Sequence, residues 1–226
     1  MLATARRSDV VRAWAGLGYH RRAVSLHDAA RQLAAAGGHL PRAVAELQRL
    51  PGVGPYTAAA VASIAFGVPA PAIDTNLRRV LARAAHGVEP DEVPAAAIAV
   101  TAAGWIEHRD PGAWNQALMD LGREVCRPVS PRCDECPLRT GCDFARSGRS
   151  GRRSARRQQP FAGSNRQVRG AVLAVLRDGR AETRPGLQRV TGFPAERITA
   201  ALDGLAADGL VTPTGTHGFR LVDDPA

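Results

Sequence analysis

Two sets of residues in this 226-residue chain have the types and spacing for chemistry. The first is Asp74, which opens the run Asp74-Thr75-Asn76-Leu77 eighteen residues beyond Tyr56. An aspartate just ahead of a helical run sits where free amides and the macrodipole favour its ionised form. Such an anion can stabilise positive charge developing on a substrate, or simply cap its own helix. The second set is Cys126, Cys133, Cys136 and Cys142, spaced C-x6-C-x2-C-x5-C. Four thiols so close together suit a structural metal, and the spacing alone leaves zinc and an iron–sulfur cluster both open.

The element that must lie beside Asp74 is the string Leu50-Pro51-Gly52-Val53-Gly54-Pro55-Tyr56-Thr57. Gly52 and Gly54 permit a tight turn, Pro51 and Pro55 stiffen it, and Leu50 and Val53 anchor it to its neighbours. The alanine-rich run that follows makes a helix over 56–66, and 41–49 reads as a helix before the turn. Exposed amides at the start of a helix bind phosphate, although any connection between packed helices also uses Pro and Gly. A helix from 56 to 67 is ~18 Å long at ~1.5 Å per residue. The seven residues to Asp74 span ~24 Å when extended, enough to bring the carboxylate back to the hairpin.

Apolar residues recur at helical spacing from Arg7 to about Gly122, with breaks at Gly16 to Tyr19, Gly37-Gly38, Gly67 to Pro71, Gly87 to Pro94 and Asp110 to Gly112. Residues 146–162 change character, with Arg146, Arg149, Arg152, Arg153, Arg156 and Arg157 set among Ser, Gly and Gln and without acidic neighbours. They read as a flexible basic linker. Beyond it, helices over 167–177, 184–190 and 195–208 and two strands around Gly215-Thr216-His217-Gly218 suggest a winged helix. The fold class is therefore mainly α. The expected domains are 1–145, which ends in a metal loop at 126–142, then the linker 146–162, then a small α+β domain over 163–226.

The formal net charge of +9 and pI near 10.9 favour a polyanionic partner. Every one of the 30 basic residues is arginine, so no lysine amine is available for a Schiff base and lyase chemistry through lysine is excluded. No long apolar run and no signal-peptide core occur, so the expectation is a cytoplasmic protein with no membrane partner. Clustered cysteines in that compartment argue against disulfides.

The string Leu50 to Thr57, Asp74 at its distance and the four cysteines in this order resemble the helix-hairpin-helix DNA glycosylases of the endonuclease III superfamily. Tyr56 in place of a lysine, the Asp74-x-Asn76 run and Trp114-Asn115-Gln116-Ala117-Leu118-Met119-Asp120-Leu121-Gly122 narrow the likeness to the MutY-type adenine glycosylases. The resemblance implies a [4Fe-4S] cluster on the four cysteines. It implies a monomeric, monofunctional enzyme that excises adenine mispaired with 8-oxoguanine or guanine from double-stranded DNA in base-excision repair. Asp74 would stabilise the oxocarbenium ion, Tyr56 and Asn76 would position that carboxylate and water, and Gln116 would bond the flipped adenine. Leu50, Gly52, Val53, Gly54 and Thr57 would grip the DNA backbone. Arg127 and Arg132, with Arg139, are phosphate candidates from the cysteine loop. Arg21 and Arg22, beside Gly16-Leu17-Gly18-Tyr19, would face the opposite strand.

Two departures from the family pattern matter. The L-Q-Q-T stretch that carries the family's general-acid glutamate has no counterpart, and the match begins at about Leu2 or Ala3. The Nudix-like module of many relatives is replaced by the winged-helix-like segment. The expectation is a chain lacking its N-terminal part, with apolar surface left uncovered. It is active through an upstream start or is a DNA-binding iron–sulfur remnant without turnover. A zinc-stapled helical regulator is the third reading.

Overall fold

The computed structural model describes residues 1–152, 160–215 and 218–224. The helices run α1 Arg7–Ala13, α2 Arg21–Ala35, α3 Val44–Leu47, α4 Pro55–Phe66, α5 Thr75–His86, α6 Ala95–Trp105, α7 Pro111–Glu124 and α8 Asp143–Arg146. Then come α9 Asn165–Leu176, strand β1 Glu182–Thr183, α10 Arg184–Thr191, α11 Ala195–Ala207, β2 Val211–Thr214 and β3 Gly218–Leu221. Contacts divide the chain into two units, Leu40–Arg157 and Met1–His39 with Gln158–Ala226.

In the unit Leu40–Arg157 the organising element is α5. Asp74 caps its first turn and Gly87, at φ 67°, ends it in the left-handed conformation that glycine adopts without strain. Between these caps Leu77, Val80, Leu81 and Ala82 are buried with Ile98 and Ala102 of α6 and Leu118 of α7. Burying a leucine side chain this fully is worth roughly 1.5–3 kcal/mol, so α5 fixes where α6 and α7 lie. The helices α4 and α6 are apolar on all sides yet only partly covered: Ile64 is 51% exposed and Val100 74%. A helix of that composition is expected to be buried all round.

In the other unit, α9 is capped by the Ser164 side chain on the Gln167 amide and α10 by Thr183 on the Gly186 amide. The three strands form an antiparallel sheet in the order β1-β3-β2, with Val211 opposite Leu221. One core holds Val168, Val172 and Leu176 of α9, Leu202 and Leu205 of α11, and Leu221 of β3. Val11 of α1 and Val24 of α2 join that same core. Arg12 ties α1 to it, donating to Asp224 at 2.5 Å and to the Arg177 carbonyl at 2.9 Å. No helix among the described residues is long and apolar enough to cross a membrane.

Three sequence expectations change. The helix expected over 41–49 shrinks to α3, because Ala43 offers no side-chain cap and burial of both Leu47 and Leu50 bends the chain into the hairpin. The strand β1 was not foreseen, since two residues are too short to show a period. Residues 1–39 belong to the same compact unit as 158–226, whose core the Val11 and Val24 side chains share. The basic linker is not without acidic partners. Arg146 ends α8 and pairs with Asp143, Arg149 meets Glu92 at 2.9 Å, and Arg152 meets Asp91 at 2.8 Å. Asp91 and Glu92 come from distant sequence, which local composition cannot reveal. Arg153, Arg156 and Arg157 of that linker, and Thr216 and His217 of the expected hairpin turn, lie outside the described residues.

Candidate functional site

The hairpin between α3 and α4 turns at Gly52, whose φ of 73° a side chain would strain. The Val53 amide donates to the Leu50 carbonyl at 3.1 Å, and Leu50, only 6% exposed, roots the turn in the unit. Gly54 is the N-cap of α4 and Pro55 its first residue, and no side chain caps this end. The first-turn amides of Tyr56 and Thr57, both exposed residues, therefore have no intrahelical acceptor and point their positive dipole outward.

At the start of α5 the arrangement is the reverse, because the helix end is closed by a carboxylate. The Leu77 amide donates to Asp74 Oδ1 at 2.7 Å, and Asn76 Nδ2 donates to Asp74 Oδ2 at 2.9 Å. Asn76 is held in turn, since its Oδ1 accepts from Arg79 Nη2 at 2.9 Å. Arg79 is buried and also donates to the Gly122 carbonyl at 2.5 Å and to the Cys126 carbonyl at 2.7 Å. Burial lowers its guanidinium from the usual value, opposed by Cys126 and Asp74, and an arginine so placed stays protonated. A fixed chain of hydrogen bonds thus runs from Asp74 through Asn76 and Arg79 to the segment that leads into the cysteines. Gly122 makes this approach possible, since a Cβ there would stand 2.7 Å from the Asn76 Cβ.

Helix α7 carries residues that meet each of these parts. Gly112 lies against α4, where a Cβ would come 3.1 Å from the Ile64 Cα. Asn115 is fully buried and bonds the loop ahead of Asp74. Met119 Sδ accepts from the Tyr56 hydroxyl at 3.5 Å. Gln116 is exposed and lies three residues before Met119, on the same ridge of the helix. The sequence reading named Tyr56, Asp74, Asn76 and Gln116 but missed Arg79 and Asn115. The available signal was a polar residue at a core position of a helical pattern, Arg79 between Leu77 and Val80 and Asn115 between Gly112 and Leu118.

The four cysteines all line one pocket, together with Arg83, Arg132, Arg139 and Phe144. Among the described residues no three acidic, histidine or cysteine side chains close into a set for a single metal ion. The thiols surround a space instead. Burial pushes the Cys126 thiol up, with Arg83 and Arg79 pulling it back, while burial and then Cys142 and Cys136 push Cys133 up. Arg83, 1% exposed, stacks 4.7 Å over the Phe144 ring and donates to Cys126 Sγ at 3.7 Å and to the Arg127 and Pro128 carbonyls at 2.8 and 2.9 Å. Four thiols facing one cavity with a buried guanidinium beside them fit a four-thiolate cluster, whose negative charge the arginines would offset. Arg132 pairs with Glu135 and Arg139 with Asp134, each at 3.0 Å, and Arg127 is exposed.

Arg21 and Arg22 lie in the unit containing Met1–His39. Arg21 is 78% exposed and 3.7 Å from Asp208, and Arg22 stacks over Trp14 at 5.5 Å. The neighbouring loop exposes Leu17 and Tyr19, with Tyr19 at φ 45°.

The helix-hairpin-helix motif family matches residues 36–64, the segment that holds α3, the turn and most of α4. Over 98% of its length the chain is 42% identical to an adenine DNA glycosylase of Mycolicibacterium smegmatis, spanning 76% of that protein. The chain belongs to the adenine DNA glycosylase family. The human adenine DNA glycosylase is 43% identical over 62% of the chain, which spans 27% of the human protein. Among solved structures, a thermostable thymine-DNA glycosylase superposes with a TM-score of 0.58 at 28% identity, covering 65% of this chain and 69% of that one. A non-covalent endonuclease III–DNA complex gives 0.52 at 29% identity, covering 65% and 68%. Membership of the adenine DNA glycosylase family bears out the resemblance read from Tyr56, the Asp74-x-Asn76 run and residues 114–122.

Proposed function

We propose that the chain is a monofunctional DNA glycosylase that hydrolyses the N-glycosidic bond of adenine mispaired with 8-oxoguanine or guanine in double-stranded DNA. The observation that carries this reading is the fixed Asp74 carboxylate in a chain of this family. One oxygen is held by the Leu77 amide and the other by Asn76. Breaking the bond from sugar to base places positive charge on the sugar, and an anion already oriented stabilises that charge without reorganising at the moment of reaction. The electron pair of the broken bond leaves with adenine, which takes up a proton, and water supplies hydroxide to the sugar carbon.

The other residues would prepare that step. The free amides of Tyr56 and Thr57, with Leu50, Gly52, Val53 and Gly54 shaping the turn, would hold a phosphate. The adenine must leave the stack, at a cost of a few kcal/mol that is lower at a mismatch. Gln116 would bond the extruded base, and Tyr56, resting on Met119, would wall the site. Arg21, Arg22, Arg127 and Arg132 would add phosphate contacts. The chain contains no lysine, which supports base removal without strand scission. Cys126, Cys133, Cys136 and Cys142 would hold a [4Fe-4S] cluster, which supplies a rigid, charged cross-link for the loop. The C-terminal three helices and sheet support a winged-helix reading, and the protein would act as a monomer near the nucleoid.

The test is single-turnover release of adenine from an A:8-oxoguanine duplex. Release should need alkali to become a strand break, and Asp74→Asn should lower the rate by ~10²-fold or more. Salt-sensitive duplex binding without release, unchanged by Asp74→Asn, would instead make the chain a DNA-binding protein without turnover.

A further inference from the structure

The segment between α4 and α5 delivers Asp74, yet it has few means of holding itself in place. Pro69 and Pro71 contribute no amide hydrogen. Ala70 and Ala72 are buried, 7% and 0% exposed, and their backbone groups require partners where water does not reach. The Ala70 amide donates to the Val68 carbonyl at 2.7 Å, and one side chain partners the Ala70 carbonyl and the Ala72 amide. Asn115 Oδ1 accepts from the Ala72 amide at 2.7 Å, and Asn115 Nδ2 donates to the Ala70 carbonyl at 3.0 Å. The same Nδ2 reaches Ser63 Oγ on α4 at 2.9 Å and the Pro111 carbonyl on its own helix at 2.9 Å. Asn115 is itself 0% exposed.

We propose that Asn115 is a positioning residue for base excision: its carboxamide sets where the Asp74 carboxylate stands relative to the hairpin helix α4 and to Gln116. The inference rests on the glycosylase reading and deepens it. Asp74 is tied forward to α5 through the Leu77 amide, and that bond orients the carboxylate only on its own helix. Its tie backward, two residues upstream, is the Asn115 bond to Ala72. Because Asn115 also holds Ser63, three elements meet at one planar group: the helix that begins at the hairpin, the loop that ends at Asp74, and the helix that carries Gln116. A carboxamide presents an acceptor and two N–H donors in one plane, so Oδ1 takes the Ala72 amide while the two Nδ2 hydrogens are shared among three acceptor oxygens. Aspartate keeps the bond to the Ala72 amide but turns a carboxylate towards three oxygens. Leucine fills similar space and bonds nothing. Reacting groups displaced by about 1 Å lose on the order of 10²-fold in rate.

The experiment compares Asn115→Asp and Asn115→Leu with Leu118→Ala, a truncation in the core facing α5 that bonds none of these groups. Each is measured in the full chain with its metal content determined, by thermal unfolding, duplex dissociation constant, single-turnover rate and amide exchange at Ala72 and Leu77. At matched loss of stability, the Asn115 variants should lose about 10²-fold in rate with the dissociation constant changed by less than about threefold. They should exchange Ala72 rapidly, whereas Leu118→Ala keeps both the rate and the protection. Equal rate losses in all three variants, or an Ala72 amide that stays protected in Asn115→Leu, would overturn the proposal. If the unmodified chain releases no adenine, the glycosylase reading falls, and exchange at Ala72 then decides by itself whether Asn115 holds the segment.

Discussion

Arg83 has the largest of the fully buried side chains in the described structure, and it does more than fill space. Its guanidinium pairs with Glu89, 3% exposed, at 2.9 Å while stacking on Phe144 and reaching Cys126. Removing one partner of a buried pair leaves the other charge desolvated and alone. Arg83→Met should therefore cost about 3–5 kcal/mol, and adding Glu89→Leu should restore a large part of it, as read from urea unfolding. Asp74 allows a finer separation, because it serves as both helix cap and candidate anion. Asparagine caps about as well as aspartate, whereas alanine does not. Asp74→Asn should thus leave stability nearly unchanged while lowering the excision rate by ~10²-fold or more, and Asp74→Ala should lower it likewise and also cost about 1 kcal/mol. Denaturation and single-turnover assays on the same two variants separate the roles.

Helix α7 works as a spine because its small residues let other helices come close. A methyl at Gly122 would stand 2.9 Å from the Asn76 carbonyl oxygen as well as against its Cβ, with backbone that cannot swing aside. Gly122→Ala should cost about 1–3 kcal/mol and, by moving Asn76, reduce excision more than duplex affinity. Unfolding curves and rates measured in parallel check both parts. The cysteine loop is bound to the same place, since Arg79 donates to the Gly122 and Cys126 carbonyls. Removing the metal with a chelator should speed amide exchange across 126–142 and weaken excision through Arg79 and Asn76. Metal analysis that finds zinc without iron or sulfide would replace the cluster by a zinc staple.

On the scale of the whole molecule, charge is concentrated and only partly compensated. In the unit containing Met1–His39, His20 is half-buried, and desolvation together with Arg177 and Arg169 holds its imidazole below the ordinary 6.5. The folded unit then binds this proton less readily than the unfolded chain. Stability is full above pH 6.5 and is lost as pH falls through that value towards the lower folded one. Thermal unfolding between pH 7.5 and 5.5 should show this loss, and His20→Gln should flatten it. In the other unit, Asp91 and Glu92 already take Arg152 and Arg149. Part of the basic stretch after the cysteines is thereby neutralised within the chain instead of being free for phosphate.

Much of the candidate site was legible in the sequence because its parts are local. The hairpin is a contiguous string with glycine where φ must be positive, Asp74 and Asn76 are two residues apart, and the cysteines share one window. The helix ends at Gly67 and Gly87 followed from glycine, and the start of α5 from Asp74. The contacts that hold those parts together were not legible, because they join residues distant in sequence. Arg79 to Cys126, Asn115 to Ala72, Arg152 to Asp91 and Val11 to the C-terminal core all depend on which faces meet once the helices have packed. By itself the sequence determined which groups are present and the local turns that expose or cap them. Only the tertiary structure decided which buried polar side chains must find partners across the core, since that demand arises when water is excluded and cannot be read from a side chain's neighbours along the chain.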